Sequence, residues 1–328
     1  MFCPFYFGGI DGTKSFSYTN VFGDGIFWIL FIETSVKFAK TGQKLRFSII
    51  TPNYNYAGYL PELLHSVVLQ DYLDIEHIIV DDGSTDNSVE VIQDFVSRYP
   101  NRFKLITQKN AGQSAALNRA LKEVTGDYII WINSDDTFCE NLFSELAVFF
   151  GRNPNVDIAF GDILFMDLKG QYIFRHRNQS FQYYEAALLG FTMFLSSNAV
   201  VWKSSLMHKM DSFKTDFKCN MDGEFFSRLF FKSTYRYLPI SFSNFRKQPF
   251  SKAAENDARW IELMNRELKF ELDNNLGYIG LASFPNGIIQ MLRYLNRFKR
   301  AIFRVITLRN WKKKREMRLY ENNRMKNE

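Results

Sequence analysis

Phe47-Ser48-Ile49-Ile50-Thr51-Pro52-Asn53-Tyr54-Asn55 is an apolar run halted by a proline and an asparagine, the pattern of a strand feeding a turn. The same grammar recurs twice: Ile75–Val80 closes on Asp81-Asp82-Gly83-Ser84, and Tyr128–Ile132 closes on Asn133-Ser134-Asp135-Asp136. Between these runs the period becomes helical. Tyr59–Leu69 carries Pro61 in its first turn, Ser88–Tyr99 sets Val89, Ile92 and Val96 on one face, and Gln113–Val124 follows the third predicted strand, Phe103–Thr107. Glu140–Phe150 predicts a further helix and Asp157–Phe165 a fifth strand. Strands alternating with helices imply βαβ units and a mainly parallel α/β sheet flanked by helices. Ligands bind such sheets beyond the carboxyl ends of the strands. The polar clusters Thr51–Asn55, Asp81–Asp86 and Asn133–Asp136 should therefore meet on one rim.

Each cluster has a chemistry to offer. Asp135 and Asp136 at a strand end suit a hard divalent cation, Mg²⁺ or Mn²⁺, which seeks oxygen ligands and can neutralise a diphosphate. The plainer alternative is an acidic pair capping the next helix. In Asp81–Asp86, Ser84, Thr85 and Asp86 read well as turn and capping residues. The doublet Asp81-Asp82 exceeds what a turn needs, and a carboxylate there can accept a hydrogen bond from a base imide. Asn110-Ala111-Gly112-Gln113-Ser114-Ala115-Ala116-Leu117-Asn118 puts a glycine at a helix entry, where a ligand can approach backbone N–H groups; tight packing explains the same residues.

In order and spacing, Ile50-Thr51-Pro52-Asn53-Tyr54-Asn55, Val80 to Asp86, Asn110-x-Gly112-x-x-x-Ala116-x-Asn118 and Asn133-Ser134-Asp135-Asp136 resemble the family 2 glycosyltransferases, of the Rossmann-like GT-A fold. The resemblance covers about residues 44–250. It implies that Thr51, Pro52 and Tyr54 lie against a nucleotide base, that Asp82, with Asp81 beside it, hydrogen-bonds the base, and that Gly112 and Asn118 shape the pocket. The family's Asp-x-Asp metal motif falls on Asn133-Ser134-Asp135, with asparagine in place of its first aspartate, so Asp135 becomes the expected metal ligand and Asp136 its helper. Met221-Asp222-Gly223-Glu224 resembles the family's acidic motif before a helix, which places the general base of an inverting transfer on Asp222, with Glu224 as the fallback. First-turn acids favoured by the helix dipole are the alternative for both. Arg246, in the segment Phe245–Ser251, resembles a later basic position that faces the diphosphate.

The expected enzyme is thus a glycosyltransferase moving a sugar from a nucleotide-sugar donor, UDP-linked, to the hydroxyl of a glycan or lipid-linked glycan acceptor in surface-polysaccharide synthesis. A sugar nucleotidyltransferase would need a basic, glycine-rich loop after the first strand, and Pro52-Asn53-Tyr54-Asn55-Tyr56 has no basic residue. A nucleotide-sugar-binding protein without turnover remains the rival from another class.

The 328 residues comprise 46% hydrophobic and 17% aromatic residues, with 34 Phe, a composition that suits a folded protein with one sizeable core. Three cysteines and four histidines are too scattered for a disulfide framework or a zinc site. The net charge of +6 conceals an asymmetry: residues 290–328 hold thirteen Lys/Arg against three Glu, leaving the body at −4. An acidic body without a recognition module argues against nucleic acid. Residues 1–43 read as a leader of unclear structure, 44–255 as the GT-A domain (44–165 for the nucleotide, 166–255 for acceptor and catalysis) and 256–328 as a helical, basic extension. Within the extension, Ile289, Leu292, Leu295, Ile302, Phe303 and Ile306 form an apolar stripe on a helix predicted over 287–320. Two readings stand for it: peripheral contact with an anionic membrane, or packing on the body. The absence of a transmembrane-length run or signal-peptide pattern points to a cytoplasmic location, at the inner face of the plasma membrane if the helix binds lipid.

Overall fold

The computed structural model describes residues 44–178, 180, 182, 183, 187, 195–248 and 258–295, apart from 282, 286 and 293. It opens with β1 (Phe47–Asn53), α1 (Leu60–Val68), β2 (Ile75–Asp81), α2 (Ser88–Arg98), β3 (Phe103–Thr107), α3 (Gln113–Leu121) and β4 (Tyr128–Trp131). Then come β5 (Thr137–Phe138), α4 (Leu142–Arg152), β6 (Ile158–Met166), β7 (Tyr172–His176), β8 (Val200–Lys203), α5 (Met221–Phe230), β9 (Tyr235–Arg246) and α6 (Ala258–Tyr278). Through α4 and β6 the predicted elements are present, with ends displaced by a few residues at most.

The strands form one sheet in the order β3-β2-β1-β4-β8-β6-β9-β5, with β7 also paired to β6. Its longest ladders are parallel, β1 with β2 and β6 with β9, while β8 is antiparallel to both β4 and β6. The two halves expected to meet at residue 165 therefore share one sheet. The stretch after residue 170, which shows no regular period in the sequence, supplies three strands. The longest, β9, shows no clean alternation in its burial and contains Pro239, so a period-two test passes over it. Its partner β6 bulges around Gly161, where an added Cβ would sit 2.1 Å from the Phe242 ring, so only glycine lets that ring lie across the strand.

Alternation along the strands sends side chains into two cores. Ile49 and Ile130 join α1, α2 and α4 residues such as Leu63, Ile92 and Leu146 in one. Ile50, Ile129 and Trp131 join Ala116, Leu117 and Ala120 of α3 and Phe225 and Phe226 of α5 in the other. The small residues of α3 let that helix sit close on β1 and β2. With helices covering both faces, the rim at the strand ends is what remains open to a ligand.

One buried polar contact supports the rim from below. His77 is fully buried, Thr51 Oγ1 lies 2.8 Å from its Nε2, and burial pushes the imidazole down to about 3 from 6.5. Because the unfolded chain binds the proton more readily, this contribution is complete above pH 6.5 and is lost as pH falls from there toward 3. Stability should fall by up to about 1.4 kcal/mol per pH unit in that window. Urea midpoints measured across it should show the loss, and His77→Gln should flatten the profile.

Candidate active site

Register brings the three polar clusters together. Asn53 lies opposite Asp81 in the β1–β2 ladder, and Ile50 opposite Trp131 in the β1–β4 ladder, so the loops leaving β1, β2 and β4 start side by side. Asp82 N–H donates to the Asn53 carbonyl at 2.8 Å, and Ser134 Oγ donates to the Pro52 carbonyl at 3.2 Å. Gln113 Nε2 reaches Asn133 Oδ1 at 3.2 Å, which ties the entry of α3 to the β4 loop. Ser114 Oγ contacts Met221 Sδ at 3.0 Å, so the first turn of α5, with Asp222, borders the same entry.

Within this rim, most of the expected ligand-binding groups turn out to hold the loops in place. Asp81 accepts from Asn53 Nδ2 at 2.8 Å and from the Ser84 hydroxyl and amide at 2.6 and 2.9 Å. Asp82 accepts from Gln108 Nε2 at 2.7 Å and from the Ala111 and Gly112 amides at 2.9 and 2.8 Å. Its carboxylate braces the glycine loop rather than standing free for a base. Thr51 is fully buried against His77, and Asn118 is clamped to both backbone groups of Phe213, at 2.7 and 2.8 Å.

Arg246 is committed within the fold. Its side chain is fully buried: Nε donates to the Asp135 carbonyl at 2.9 Å, Nη1 to the Asp167 and Leu168 carbonyls at 3.2 and 2.9 Å, and Nη2 pairs with Glu62. Each of its three nitrogens is thus engaged inside the protein. Asp136, the expected metal helper, is 1% exposed and accepts from the Arg246 amide at 2.8 Å and from Asn198 Nδ2 at 3.0 Å. Burial, with Asp135 beside it, pushes its pKa well up. Asp136 and Arg246 thus lock the β4 loop onto β9. The partners Glu62 and Asn198 lie too far away in the chain for the sequence to have revealed them.

Asp135 differs. Among the described residues its carboxylate accepts one side-chain bond, from the neutral Gln248 Nε2 at 3.2 Å, and burial raises its pKa above the usual aspartate value. A half-buried carboxylate at a strand end has the donor chemistry that suits a hard divalent ion. Asn133 Oδ1 is taken up by Gln113 and by Trp131 Nε1 at 3.0 Å, so it offers such an ion little. Among the described residues no group of three His, Cys, Asp or Glu side chains could by itself hold a metal. A cation here would fit with Asp135 as its protein ligand and ligand oxygens completing the shell.

The entry of α3 lacks a side-chain cap, and a Cβ at Gly112, whose φ is +92°, would meet nothing within 4 Å. Uncapped amides at the positive end of a helix, beside open space, suit an anion. Pro52 is partly exposed and Tyr54 is 44% exposed. Tyr56, which the sequence reading passed over, has its hydroxyl pushed up in pKa by burial and then by Asp135, which places that ring at the β4 carboxylates.

On α5 the two candidate bases separate. Glu224 is buried and ion-paired to Arg228 at 2.8 Å and Lys214 at 3.1 Å. Among the described residues Asp222 accepts one hydrogen bond, from the Gly223 amide at 2.9 Å, and its carboxyl is pushed up in pKa chiefly by burial and further by Glu271. Glu224→Gln should therefore destabilise the fold by roughly 3 kcal/mol, the cost of breaking a buried pair. Thermal melting of the variant against the wild type checks the loss.

Sheet order, the helices on both faces and the acidic rim define a mixed α/β protein of the GT-A type. Residues 48–223 match glycosyl transferase family 2, and the chain belongs to that family. An uncharacterized glycosyltransferase of Nostoc sp. is 43% identical over 114 residues, covering 35% of each chain. TarS of Staphylococcus aureus, a poly(ribitol-phosphate) beta-N-acetylglucosaminyltransferase, is 28% identical over 128 residues, 38% of this chain and 21% of its own. The crystal structure of TarS with UDP-GlcNAc aligns with a TM-score of 0.55 at 20% identity, covering 76% of this chain and 70% of that one. Mannosyltransferase PcManGT from Pyrobaculum calidifontis, with GDP-Man and Mn²⁺, gives 0.52 at 15% identity over 85% and 86%. The sequence matches thus span about a third or less of these relatives' own lengths.

Proposed function

We propose that this chain transfers a sugar, with inversion, from a UDP-linked donor to a hydroxyl of a surface polysaccharide or lipid-linked glycan. The observation that carries the reading is the division among the rim acids. Among the described residues, Asp81, Asp82, Asp136 and Glu224 each accept from at least two internal donors, whereas Asp135 and Asp222 each accept from one neighbouring residue, Gln248 and Gly223. The family, TarS with its UDP-GlcNAc and the Mn²⁺ in the PcManGT structure support the donor class and the cation.

In this reading Tyr54 gives an aromatic face to the base, and Asp82 holds the Gly112 loop so that the α3 amides meet the diphosphate. Asp135 holds Mg²⁺ or Mn²⁺, which when bound would offset the charge of the departing nucleotide. Asp222 takes the proton from the acceptor hydroxyl as that oxygen attacks. A nucleotide-sugar-binding protein without turnover is the second reading, favoured by Asn133 at the family's first aspartate. A panel of nucleotide sugars, with and without Mn²⁺, should show thermal stabilisation that is largest for UDP-sugars with metal, followed by slow donor hydrolysis. Stabilisation without hydrolysis would favour the binding protein.

The end of the described chain bears on location. Ile289 and, partly, Leu292 pack with Leu276, Ile279 and Leu281, so that part of the predicted stripe faces the body. Ile288, Met291 and Leu295, at helical spacing, are 41–57% exposed instead. This second apolar stripe, followed by the basic sequence, supports peripheral contact with an anionic membrane from the cytoplasmic side. Residues 296–320 of the predicted helix lie outside the described residues. Among the described residues no helix is long and apolar enough to cross a membrane.

A further inference from the structure

Helix α6 lies outside the four sequence motifs, yet it presents a polar stripe to α5. Glu267, Glu271 and Asn275, four residues apart, are 4%, 1% and 2% exposed. A helix that merely packed would place apolar residues on that face. Glu267 accepts three consecutive backbone amides, Lys218 at 2.8 Å and Cys219 and Asn220 at 2.9 Å, from the turn that enters α5. Glu271 accepts from Asn220 Nδ2 at 2.5 Å and from Ser227 Oγ at 2.6 Å. A Cβ on Gly223 would lie 2.8 Å from Glu271 Oε2 and 2.4 Å from Asn220 Oδ1, so the residue after Asp222 is held flush against this network.

We propose that Glu267 and Glu271 are positioning residues for Asp222: through Asn220, Ser227 and the amides of the 218–220 turn they fix the first turn of α5 and aim its carboxylate at the acceptor. The inference rests on the reading of Asp222 as the base. Two buried carboxylates are costly to desolvate, and five donors over one short turn and helix offset that cost. Charge adds to geometry. Glu271 is the acidic neighbour that acts on Asp222 from α6, whereas Glu267 is taken up by three amides there. On α5 Glu224 is neutralised by Arg228 and Lys214, and on the preceding loop Lys218 Nζ turns to the Thr215 carbonyl. The negative charge of Glu271 keeps Asp222 a stronger base.

The test is the full chain carrying Glu271→Gln, which keeps the side-chain shape and removes the charge. We expect kcat to fall about tenfold or more with donor KM and melting temperature little changed, and the acid limb of the kcat profile to move to lower pH as Asp222 loses its acidic neighbour. An unchanged kcat and limb, or a kcat loss matched by equal losses in donor affinity and melting temperature, would overturn the proposal. Should Glu271→Gln not fold, Ser227→Ala removes the 2.6 Å bond more gently; it should lower kcat with donor KM unchanged, and an unaltered kcat would overturn the proposal equally. Asp222→Asn is run alongside. Retained transfer in that variant means the base assignment has failed. Lost transfer there, with Glu271→Gln kinetically silent, means the positioning proposal alone has failed.

Discussion

Asp135→Ala should lower kcat by roughly 10²–10³-fold, the loss typical of removing one group that stabilises developing negative charge. The reason is local. Among the described residues Asp135 accepts from one side-chain amide, that of Gln248, while its neighbour Asp136 is sealed between the Arg246 amide and Asn198, so no second carboxylate is placed to take over. Two readouts separate this from general damage. In the wild type, UDP and Mn²⁺ added together should raise the melting temperature beyond the sum of their separate effects, because each completes the other's site; at saturation near 100 times Kd the added stability is about 2.7 kcal/mol. Asp135→Ala should lose the cooperative increment and keep the smaller shift from UDP alone. The protein's own stability should change little, since the carboxylate removed is half-buried and its charged form is disfavoured chiefly by that burial. Asp136→Ala, by contrast, should unfold the β4–β9 junction as well as reduce activity.

That contrast marks where the sequence stops being informative. The strands β1, β2 and β4 and the meeting of their loops are legible because register and the carboxyl-end rule need only local pattern. Which acid at the rim stays free is not local. Glu62 reaches Arg246 across 184 residues, and Asn198 reaches Asp136 across 62. The dipeptide Asp135-Asp136 looks the same whether both members bind a cation or one is a tie rod. Burial decides between them, and burial is set by β9, whose partly exposed, proline-bearing course carries no clean period. The same holds for Asp222 and Glu224. Glu224 and Arg228 stand four apart, a spacing that can be read as an intrahelical pair, and the structure shows that pair formed and buried, with Lys214 added. The spacing of Glu267, Glu271 and Asn275 was likewise present in the sequence. Acids at helical intervals ordinarily denote a solvated face, so only the packing of α6 on α5 reveals them as buried.

Asp222→Asn should leave donor binding within about twofold of wild type while lowering sugar transfer by roughly 10²–10⁴-fold, the range for loss of a general base. The substitution keeps the size of the side chain and an oxygen to accept the Gly223 amide, so the first turn of α5 should stand. The wild-type enzyme should also carry a signature in its pH profile. A base works only when deprotonated, and burial raises the Asp222 carboxyl above the ordinary aspartate range, with Glu271 adding to the shift. The rate should therefore fall as pH drops through that raised value, at a pH where an exposed aspartate would still be ionised, and the residual activity of Asp222→Asn should lack this limb. Donor hydrolysis sharpens the test, because water competes for the same glycosyl carbon but is not held by the acceptor site. If Asp222 deprotonates the acceptor, its loss should depress transfer far more than metal-dependent hydrolysis, whereas Asp135→Ala should depress both together. Near-normal transfer by Asp222→Asn would remove it as the base, and equal losses in transfer and hydrolysis would assign it to the donor side of the reaction instead.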